Sequence, residues 1–202
     1  MIYKLVCAGA DSFKETYVKD ENEIIIAVDG GYKVLTENNI KVDYFFGDFD
    51  SLKTKDIKCE NINEYSVVKD KGDFELAIDF LIDELKINTN DQVIVYNATG
   101  GRLDHYYVIL NTLKNYSKYS IYLLDKNNKI YFSEKNIEIG KSNYKYISFF
   151  SFDDETIISI SGCKYNIENY NLKINDNLCL SNEIIDVCKL ETNKKILIIE
   201  SN

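Results

Sequence analysis

The chain carries the stretch Val42-Asp43-Tyr44-Phe45-Phe46-Gly47-Asp48-Phe49-Asp50-Ser51, in which an apolar run leads into an acidic glycine turn. The apolar run predicts a short buried strand. Asp48 and Asp50 lie two residues apart at its end and could hold a divalent cation, because Mg²⁺ prefers one or two carboxylates together with substrate phosphates. Aspartate, glycine and serine are also ordinary turn formers, so the stretch taken alone is also compatible with a solvated turn.

The alternation of apolar runs and amphipathic segments continues on both sides of this stretch. Short runs of β-branched and aromatic residues predict strands at Ile2 to Cys7, Glu23 to Val28, Tyr44 to Phe46, Ile62 to Val68, Gln92 to Tyr96 and Ser120 to Leu124. Helical periodicity predicts one helix from about Asp73 to Lys86 and another from about Gly101 to Tyr116. Strands that alternate with helices indicate an α/β domain over residues 1–125, with a mostly parallel sheet and flanking helices.

From about Lys126 the pattern changes to short runs rich in Ile and Tyr, separated by Asn, Asp, Gly and Ser. These runs predict strands at Lys129 to Phe132, Tyr144 to Phe150, Thr156 to Ile160, Asn177 to Leu180, Ile184 to Val187 and Lys195 to Ile199. No helical period of useful length occurs among them. We therefore expect a smaller all-β antiparallel sandwich domain over residues 126–202.

The composition is that of a folded globular protein, with 202 residues that are 45% hydrophobic and 13% aromatic. A net charge of −9 argues against nucleic acid or an anionic membrane as a partner, because both require a basic surface. No apolar run is long enough for a membrane span, and the N-terminus lacks the layout of a signal peptide, so we expect a cytoplasmic protein. Five scattered cysteines without a Cys-x-x-Cys pair predict reduced structural thiols.

The loops that follow parallel strands gather at one edge of a sheet, where open α/β proteins bind ligands. Four such loops carry aspartate here: Asp29-Gly30-Gly31, Gly47 to Ser51, Lys69-Asp70-Lys71-Gly72-Asp73 and Thr99-Gly100-Gly101-Arg102-Leu103-Asp104-His105. In the last loop, the backbone N–H groups of the two glycines could face a phosphate, and Arg102 could add a charge-assisted bond. Simple strand-to-helix packing is the alternative for the glycines, and a surface position is the alternative for His105. The chain has no Walker-type or dinucleotide-binding glycine motif.

The ordered set of loops resembles the motifs of the thiamine pyrophosphokinases. Gly162-Cys163-Lys164-Tyr165 and Leu180-Ser181-Asn182-Glu183 resemble the C-terminal motifs of the same family, so the similarity spans nearly the whole chain. The resemblance implies transfer of a diphosphate group from ATP to the hydroxyethyl group of thiamine, which gives thiamine diphosphate and AMP. It also implies a magnesium-dependent homodimer with active sites at the subunit interface.

The resemblance also assigns roles to individual residues. The implied magnesium ligands are Asp48, Asp50 and Asp73. Asp29, Asp70 and Asp104 line the same pocket, and either Asp70 or Asp104 could accept the proton of the alcohol. The implied nucleotide-binding set is Asp29, Gly30, Gly31, Lys69, Thr99, Gly100, Gly101, Arg102 and His105. Ser181 and Asn182 are the implied thiamine-binding residues.

Two positions depart from the family pattern. Gly72 stands where the family usually has threonine, which removes a helix-capping hydroxyl next to Asp73. Cys179 stands where the family tends to have glycine, which bears on thiamine affinity. Three alternative functions stay open at this point: a metal-dependent nucleotide-sugar glycosyltransferase, a pterin-alcohol diphosphokinase, and a non-enzymatic sensor of a nucleotide or thiamine.

Overall fold

A computed structural model describes residues 1–10, 12–47, 59, 61–64 and 71–202 of the chain. The predicted site residues Asp48, Asp50, Lys69 and Asp70 lie outside the described residues. The chain divides into two compact units. The first consists of Met1–Thr112 and Tyr119–Lys126, and the second consists of Leu113–Lys118 and Asn127–Asn202.

The first unit contains a parallel sheet. Its strands are β1 (Ile2–Val6), β2 (Glu23–Val28), β3 (Tyr44–Gly47), β4 (Asn61–Glu64), β5 (Gln92–Tyr96) and β6 (Ser120–Leu124). They are ordered β4-β3-β2-β1-β5-β6, and each neighbouring pair is parallel. The helices are α1 (Phe13–Thr16), α2 (Gly31–Glu37), α3 (Asp73–Asp83) and α4 (Leu103–Asn115), and the last three residues of α4 belong to the second unit. The prediction of a parallel α/β fold is confirmed, although α1 and α2 were not predicted.

Burial explains the sheet and its helices. The inner strands are almost continuously buried, as in Ile25 to Val28 of β2, because helices cover parallel sheets on both faces. In α3 the buried residues recur at helical spacing and are Phe74, Ala77, Ile78 and Leu81. That helix ends before the predicted Lys86, which has a left-handed φ of +54° that no right-handed helix accommodates. None of the helices in the described ranges combines the length and apolarity that a membrane span requires.

The second unit is entirely antiparallel in its strand pairing. Its strands are β7 (Asn128–Ser133), β8 (Ile137–Gly140), β9 (Tyr146–Ser151), β10 (Thr156–Cys163), β11 (Ile167–Leu172), β12 (Ile184–Thr192) and β13 (Ile196–Ser201). Strand β13 pairs with β7 and β9, and a separate sheet has the order β11-β10-β12-β8. This confirms the smaller antiparallel domain. The predicted strand from Asn177 to Leu180 is wrong: the segment is a turn in which Leu180 N donates to Asn177 O at 3.2 Å.

Candidate active site

Asp29 lies against Gly47, the last residue of β3. It directly follows β2, and its backbone N donates to Phe46 O of the neighbouring strand β3 at 2.7 Å. A Cβ atom added to Gly47 would lie 2.7 Å from Asp29 Oδ1, so only glycine leaves room for this carboxylate. The structure therefore brings Asp29 together with Gly47, the one described residue of the predicted loop from Gly47 to Ser51.

The loop after β1 forms the middle of this edge, and the sequence analysis did not identify it. A Cβ atom added to Gly30 would lie 2.9 Å from Ala8 Cβ, and one added to Gly9 would lie 2.3 Å from Asn97 O. On the other side, a Cβ atom at Gly101 would lie 3.3 Å from Gly9 Cα. The loops after β2, β1 and β5 therefore pack side by side. The sequence signal for this loop is the run of three small residues, Ala8-Gly9-Ala10, that follows the predicted first strand.

The glycine pair after β2 has mainly a packing role. Gly31 is buried at the start of α2, and a Cβ atom there would lie 1.8 Å from Val6 O. Any side chain at this position would collide with the backbone of β1. The close approach of α2 to the sheet thus explains Gly31 without a ligand.

The turn after β5 presents backbone N–H groups at the same edge. Gly100 has a φ of +72°, and a Cβ atom on it would lie 2.5 Å from Ala10 Cβ. Gly100 and Gly101 are both exposed, and their N–H groups donate no hydrogen bond within the described part of the chain. Helix α4 begins two residues later, so its positive dipole end faces the same region. This arrangement can bind an anion such as a phosphate group.

Thr99 is a predicted nucleotide-binding residue, and its hydroxyl is bound within the protein. Its Oγ1 donates to Oδ2 of Asp125 at 2.5 Å. Asp125 follows β6 and is only 9% exposed. The sequence analysis missed Asp125 because a single aspartate after a strand carries no motif.

Arg102 and Asp104 form an exposed ion pair beside this turn. Arg102 Nη2 donates to Asp104 Oδ2 at 2.5 Å, and Arg102 Nε donates to Asp104 Oδ1 at 3.2 Å. Hydrogen bonding from Arg102 lowers the pKa of Asp104 to about 2. A carboxylate with so low a pKa is a weak proton acceptor, so its pairing with Arg102 disfavours Asp104 as the general base. His105 is exposed in the first turn of α4.

Asp73 is half-buried in the first turn of α3, where the extended Gly72 forms the N-cap without a side-chain hydrogen bond. Apart from the two adjacent residues, no atom of the described residues lies within 4 Å of a Cβ atom added to Gly72, so these residues leave space for the Cβ atom of a threonine. Carboxylate oxygens suit a hard cation such as Mg²⁺. Within the described ranges no group of three His, Cys, Asp or Glu side chains could hold a metal ion. Asp48 and Asp50, the other two predicted ligands, lie outside those ranges.

The two C-terminal motifs meet in the second unit through Asn182, which is 4% exposed. Its Oδ1 accepts hydrogen bonds from Tyr165 N at 3.0 Å and Glu183 N at 2.9 Å. Its Nδ2 donates to Tyr165 O at 2.7 Å. The two motifs are also joined by a backbone hydrogen bond, in which Lys164 N donates to Glu183 O at 2.8 Å. The side chain of Asn182 is thus engaged in holding the two motifs together.

Ser181 is the exposed member of the predicted thiamine-binding pair. It has a left-handed φ of +56°, and its N donates to Ser148 Oγ at 2.9 Å. Nearby, Cys179 is buried, and burial raises the pKa of its thiol to about 11. The thiol is therefore neutral near pH 7. Cys179 does not have a positive φ, so its backbone does not require the glycine that is usual in the family.

Comparison with known proteins connects both units to one family. A model of the thiamin pyrophosphokinase catalytic domain matches residues 16–124. A model of the thiamin pyrophosphokinase vitamin B1 binding domain matches residues 134–197. The two matches follow each other in the order in which the motifs occur along the chain.

Individual relatives agree with the domain matches. The chain is 31% identical over 176 residues to a thiamine pyrophosphokinase of Bacillus subtilis, an alignment that covers 82% of this chain and 80% of that protein. A crystal structure of thiamine pyrophosphokinase from Bacillus subtilis superposes with a TM-score of 0.86 at 27% identity, covering 100% of this chain and 99% of the other. A thiamin pyrophosphokinase from Geobacillus thermodenitrificans gives a TM-score of 0.85 at 25% identity, with coverage of 100% and 98%. The chain therefore belongs to the thiamin pyrophosphokinase family.

Proposed function

We propose that this protein transfers a diphosphate group from ATP to the hydroxyethyl group of thiamine, which gives thiamine diphosphate and AMP. The observation that carries the proposal is the packing of the loops after β2, β1 and β5 at one edge of the parallel sheet. There, Asp29 lies against Gly47, and the exposed Gly100-Gly101 turn offers its N–H groups. Acidic loops beside an anion-binding turn suit the transfer of a phosphate group from a metal-bound nucleotide.

Asp48, Asp50 and Asp73 are the proposed ligands of Mg²⁺. When bound, the ion supplies positive charge that neutralises the triphosphate and stabilises the phosphoryl group during transfer. In an acidic protein of net charge −9, such neutralisation offsets the repulsion between the carboxylates and the nucleotide. Asp29 lines the same pocket.

The N–H groups of Gly100 and Gly101 are proposed to bind the phosphates, with Arg102 adding a charge-assisted hydrogen bond. The wider nucleotide-binding set also includes Gly30, Gly31, Lys69, Thr99 and His105. Asp70 and Asp104 are both proposed candidates for the acceptor of the thiamine hydroxyl proton, and the pKa of Asp104 is lowered for as long as it pairs with Arg102.

Thiamine is proposed to contact Ser181, which is exposed, whereas Asn182 holds the surrounding backbone. We also expect a homodimer, in keeping with the resemblance to the family. Exposed apolar side chains in each unit support such an interface: Leu103 and Tyr107 in the first, and Tyr165, Leu178, Leu180 and Ile185 in the second. Light scattering of the purified protein would measure the oligomeric state. A cytoplasmic location stays a prediction from the sequence.

Incubation of the purified protein with ATP, Mg²⁺ and thiamine tests the proposed reaction. We expect AMP and thiamine diphosphate in equal amounts, and chelation of the metal should stop their formation. A nucleotide-sugar glycosyltransferase or a non-enzymatic sensor would release no AMP. A pterin-alcohol diphosphokinase would release AMP only when a pterin alcohol replaces thiamine. Any of these three results would overturn the proposal.

Replacement of the proposed metal ligands tests their role directly. Asp48→Asn and Asp73→Asn should each lower kcat by about a hundredfold or more, because the charge that stabilises the transition state is lost. Asp83→Asn is the matched control, since Asp83 is exposed at the other end of the same helix as Asp73. Normal turnover in either ligand variant would contradict the metal assignment. For Asp73→Asn, lost stability with unchanged turnover would indicate only a role at the helix N-terminus.

A further inference from the structure

Asp125 is a buried carboxylate at the edge of the sheet where the nucleotide is proposed to bind. It directly follows β6, is 9% exposed, and accepts the Thr99 hydroxyl hydrogen bond at 2.5 Å. Hydrogen bonds from a hydroxyl to an ionised carboxylate are short and roughly twice as strong as those between neutral groups. The side chain of Thr99 is therefore held in one orientation.

The backbone of Thr99 is held as well, from the opposite direction. Ala10 N, in the loop after β1, donates to Thr99 O at 3.0 Å. Gly9 N of the same loop donates to Asn97 O at 2.7 Å. Thr99 is thus fixed through its carbonyl group by one neighbouring loop and through its hydroxyl group by Asp125. The next two residues are Gly100 and Gly101, whose exposed N–H groups form the proposed phosphate site.

Asp125 also influences the beginning of α4. Burial raises the pKa of the Tyr106 phenol, and the negative charge of Asp125 adds to this increase. Tyr106 N donates to Arg102 O at 3.1 Å in the first turn of the helix. The carboxylate of Asp125 therefore bonds to Thr99 and lies near enough to the first turn of α4 for its charge to affect Tyr106.

A carboxylate so close to a phosphate site would by itself weaken anion binding, because like charges repel. Its hydrogen bond to Thr99 provides a compensating benefit. A glycine pair has more backbone freedom than any other dipeptide, so the turn loses the most conformational entropy when it is ordered on a ligand. A neighbouring residue that is fixed before the ligand arrives reduces that cost.

We propose that Asp125 is a positioning residue for the nucleotide, which acts through Thr99 to hold the Gly100-Gly101 turn in its phosphate-binding conformation. This inference rests on the proposed function, because the phosphate is that of ATP. Asp125 itself does not touch the reacting atoms. Its contribution is the fixed orientation of Thr99.

A double-mutant cycle tests the inference. Thr99→Val keeps the shape of the side chain but removes the hydroxyl, and Asp125→Ala removes the acceptor. Each should weaken ATP binding, measured as Kd by calorimetry and as KM, by about tenfold while the KM for thiamine is unchanged, which corresponds to about 1.4 kcal/mol. The double variant should be no weaker than either single variant, since both remove the same interaction.

Conservative variants guard against a general loss of folding. Thr99→Ser retains the hydroxyl and should recover most of the lost ATP affinity, and Asp125→Asn retains an acceptor and should lie between Asp125→Ala and the wild type. Thr36→Val is the matched control, because within the described residues the Thr36 hydroxyl bonds inside α2, to Lys33 O at 3.0 Å. It should leave the Kd for ATP unchanged.

Three outcomes would overturn the inference: wild-type ATP affinity in Thr99→Val and Asp125→Ala, equal losses for ATP and thiamine, or additive losses in the double variant. If Thr99→Val does not fold, the comparison of Asp125→Ala with Asp125→Asn decides by the same Kd measurement. A wild-type protein that binds ATP but releases no AMP would contradict the proposed function alone, and the Kd values would still decide the role of Asp125. A wild-type protein that binds no ATP would overturn both.

Discussion

Asn97 in the first unit and Asn182 in the second are both buried, with exposures of 1% and 4%, but they differ in how their side chains are used. Both polar atoms of the Asn182 side-chain amide are hydrogen-bonded: Oδ1 accepts two hydrogen bonds and Nδ2 donates one. Asn97 accepts one hydrogen bond, from Ser12 N at 3.2 Å. Its buried Nδ2 has no partner in the described part of the chain.

The backbone accounts for the presence of Asn97. It has a left-handed φ of +53° at the end of β5, a conformation that asparagine tolerates better than most residues. At Asn182 the left-handed φ belongs instead to the preceding Ser181. We infer that the first asparagine is kept mainly for its backbone conformation, and the second for its side-chain hydrogen bonds. The same residue type thus serves two different physical purposes.

The largest effect is expected for Asn182→Ala. It removes three hydrogen bonds from a buried site, and at about 1 kcal/mol each the free energy of unfolding should fall by about 3 kcal/mol. Urea denaturation of the full chain measures this loss. Asn177→Ala, at an exposed position in the preceding turn, should change stability by less than about 0.5 kcal/mol. If Asn182→Ala were as stable as Asn177→Ala, the side-chain hydrogen bonds of Asn182 would not stabilise the fold, and the contrast with Asn97 would be wrong.

Asn97→Ala should have an intermediate effect. Loss of the hydrogen bond from Ser12 costs about 1 kcal/mol, and alanine in the left-handed region costs about 1 kcal/mol more. The expected destabilisation of about 2 kcal/mol is measured in the same denaturation experiment. A loss as large as that of Asn182→Ala would show that the side chain of Asn97 contributes more than its hydrogen bond from Ser12.

Asn97→Gly should have the smallest effect of the three. Glycine relieves about 1 kcal/mol of backbone strain, while its greater freedom in the unfolded chain costs roughly 0.5 kcal/mol. We therefore expect this variant to be about 0.5 kcal/mol more stable than Asn97→Ala. Both variants lack the asparagine side chain, so the difference between their free energies of unfolding measures the cost of the left-handed backbone conformation at position 97. If Asn97→Gly were the less stable variant, the backbone explanation of Asn97 would be wrong.

The fold prediction was most accurate where the predicted strand is buried in the parallel sheet. Strands β2, β5 and β6 begin and end where their β-branched runs predict, because local sequence and burial agree there. The run from Asn177 to Leu180 was misleading, since Leu178 and Leu180 are exposed and pair with no strand in the described chain. Helix α2 was missed because it begins within a glycine pair, which is a poor helix former.

The sequence predicted the parts of the candidate site that belong to motifs. It did not predict which side chains form hydrogen bonds with each other. The sequence identified the Gly100-Gly101 turn, whose exposure the structure shows. It gave no indication that the Thr99 hydroxyl binds Asp125 or that Asn182 holds Tyr165. Both residues are predicted to bind ligands from their place in a motif, and a motif does not report which groups a side chain contacts in the folded protein.

The sequence by itself determined that an α/β domain is followed by an antiparallel domain, because this follows from local periodicity. It also determined the family and the set of acidic loops, because these follow from the order of residues along the chain. Only the tertiary structure decided the hydrogen-bond partners. Those partners are far apart along the chain: 85 positions separate Ser12 from Asn97, and 26 separate Thr99 from Asp125. A buried polar group must find its partner in space, and folding chooses that partner by geometry that no local pattern contains.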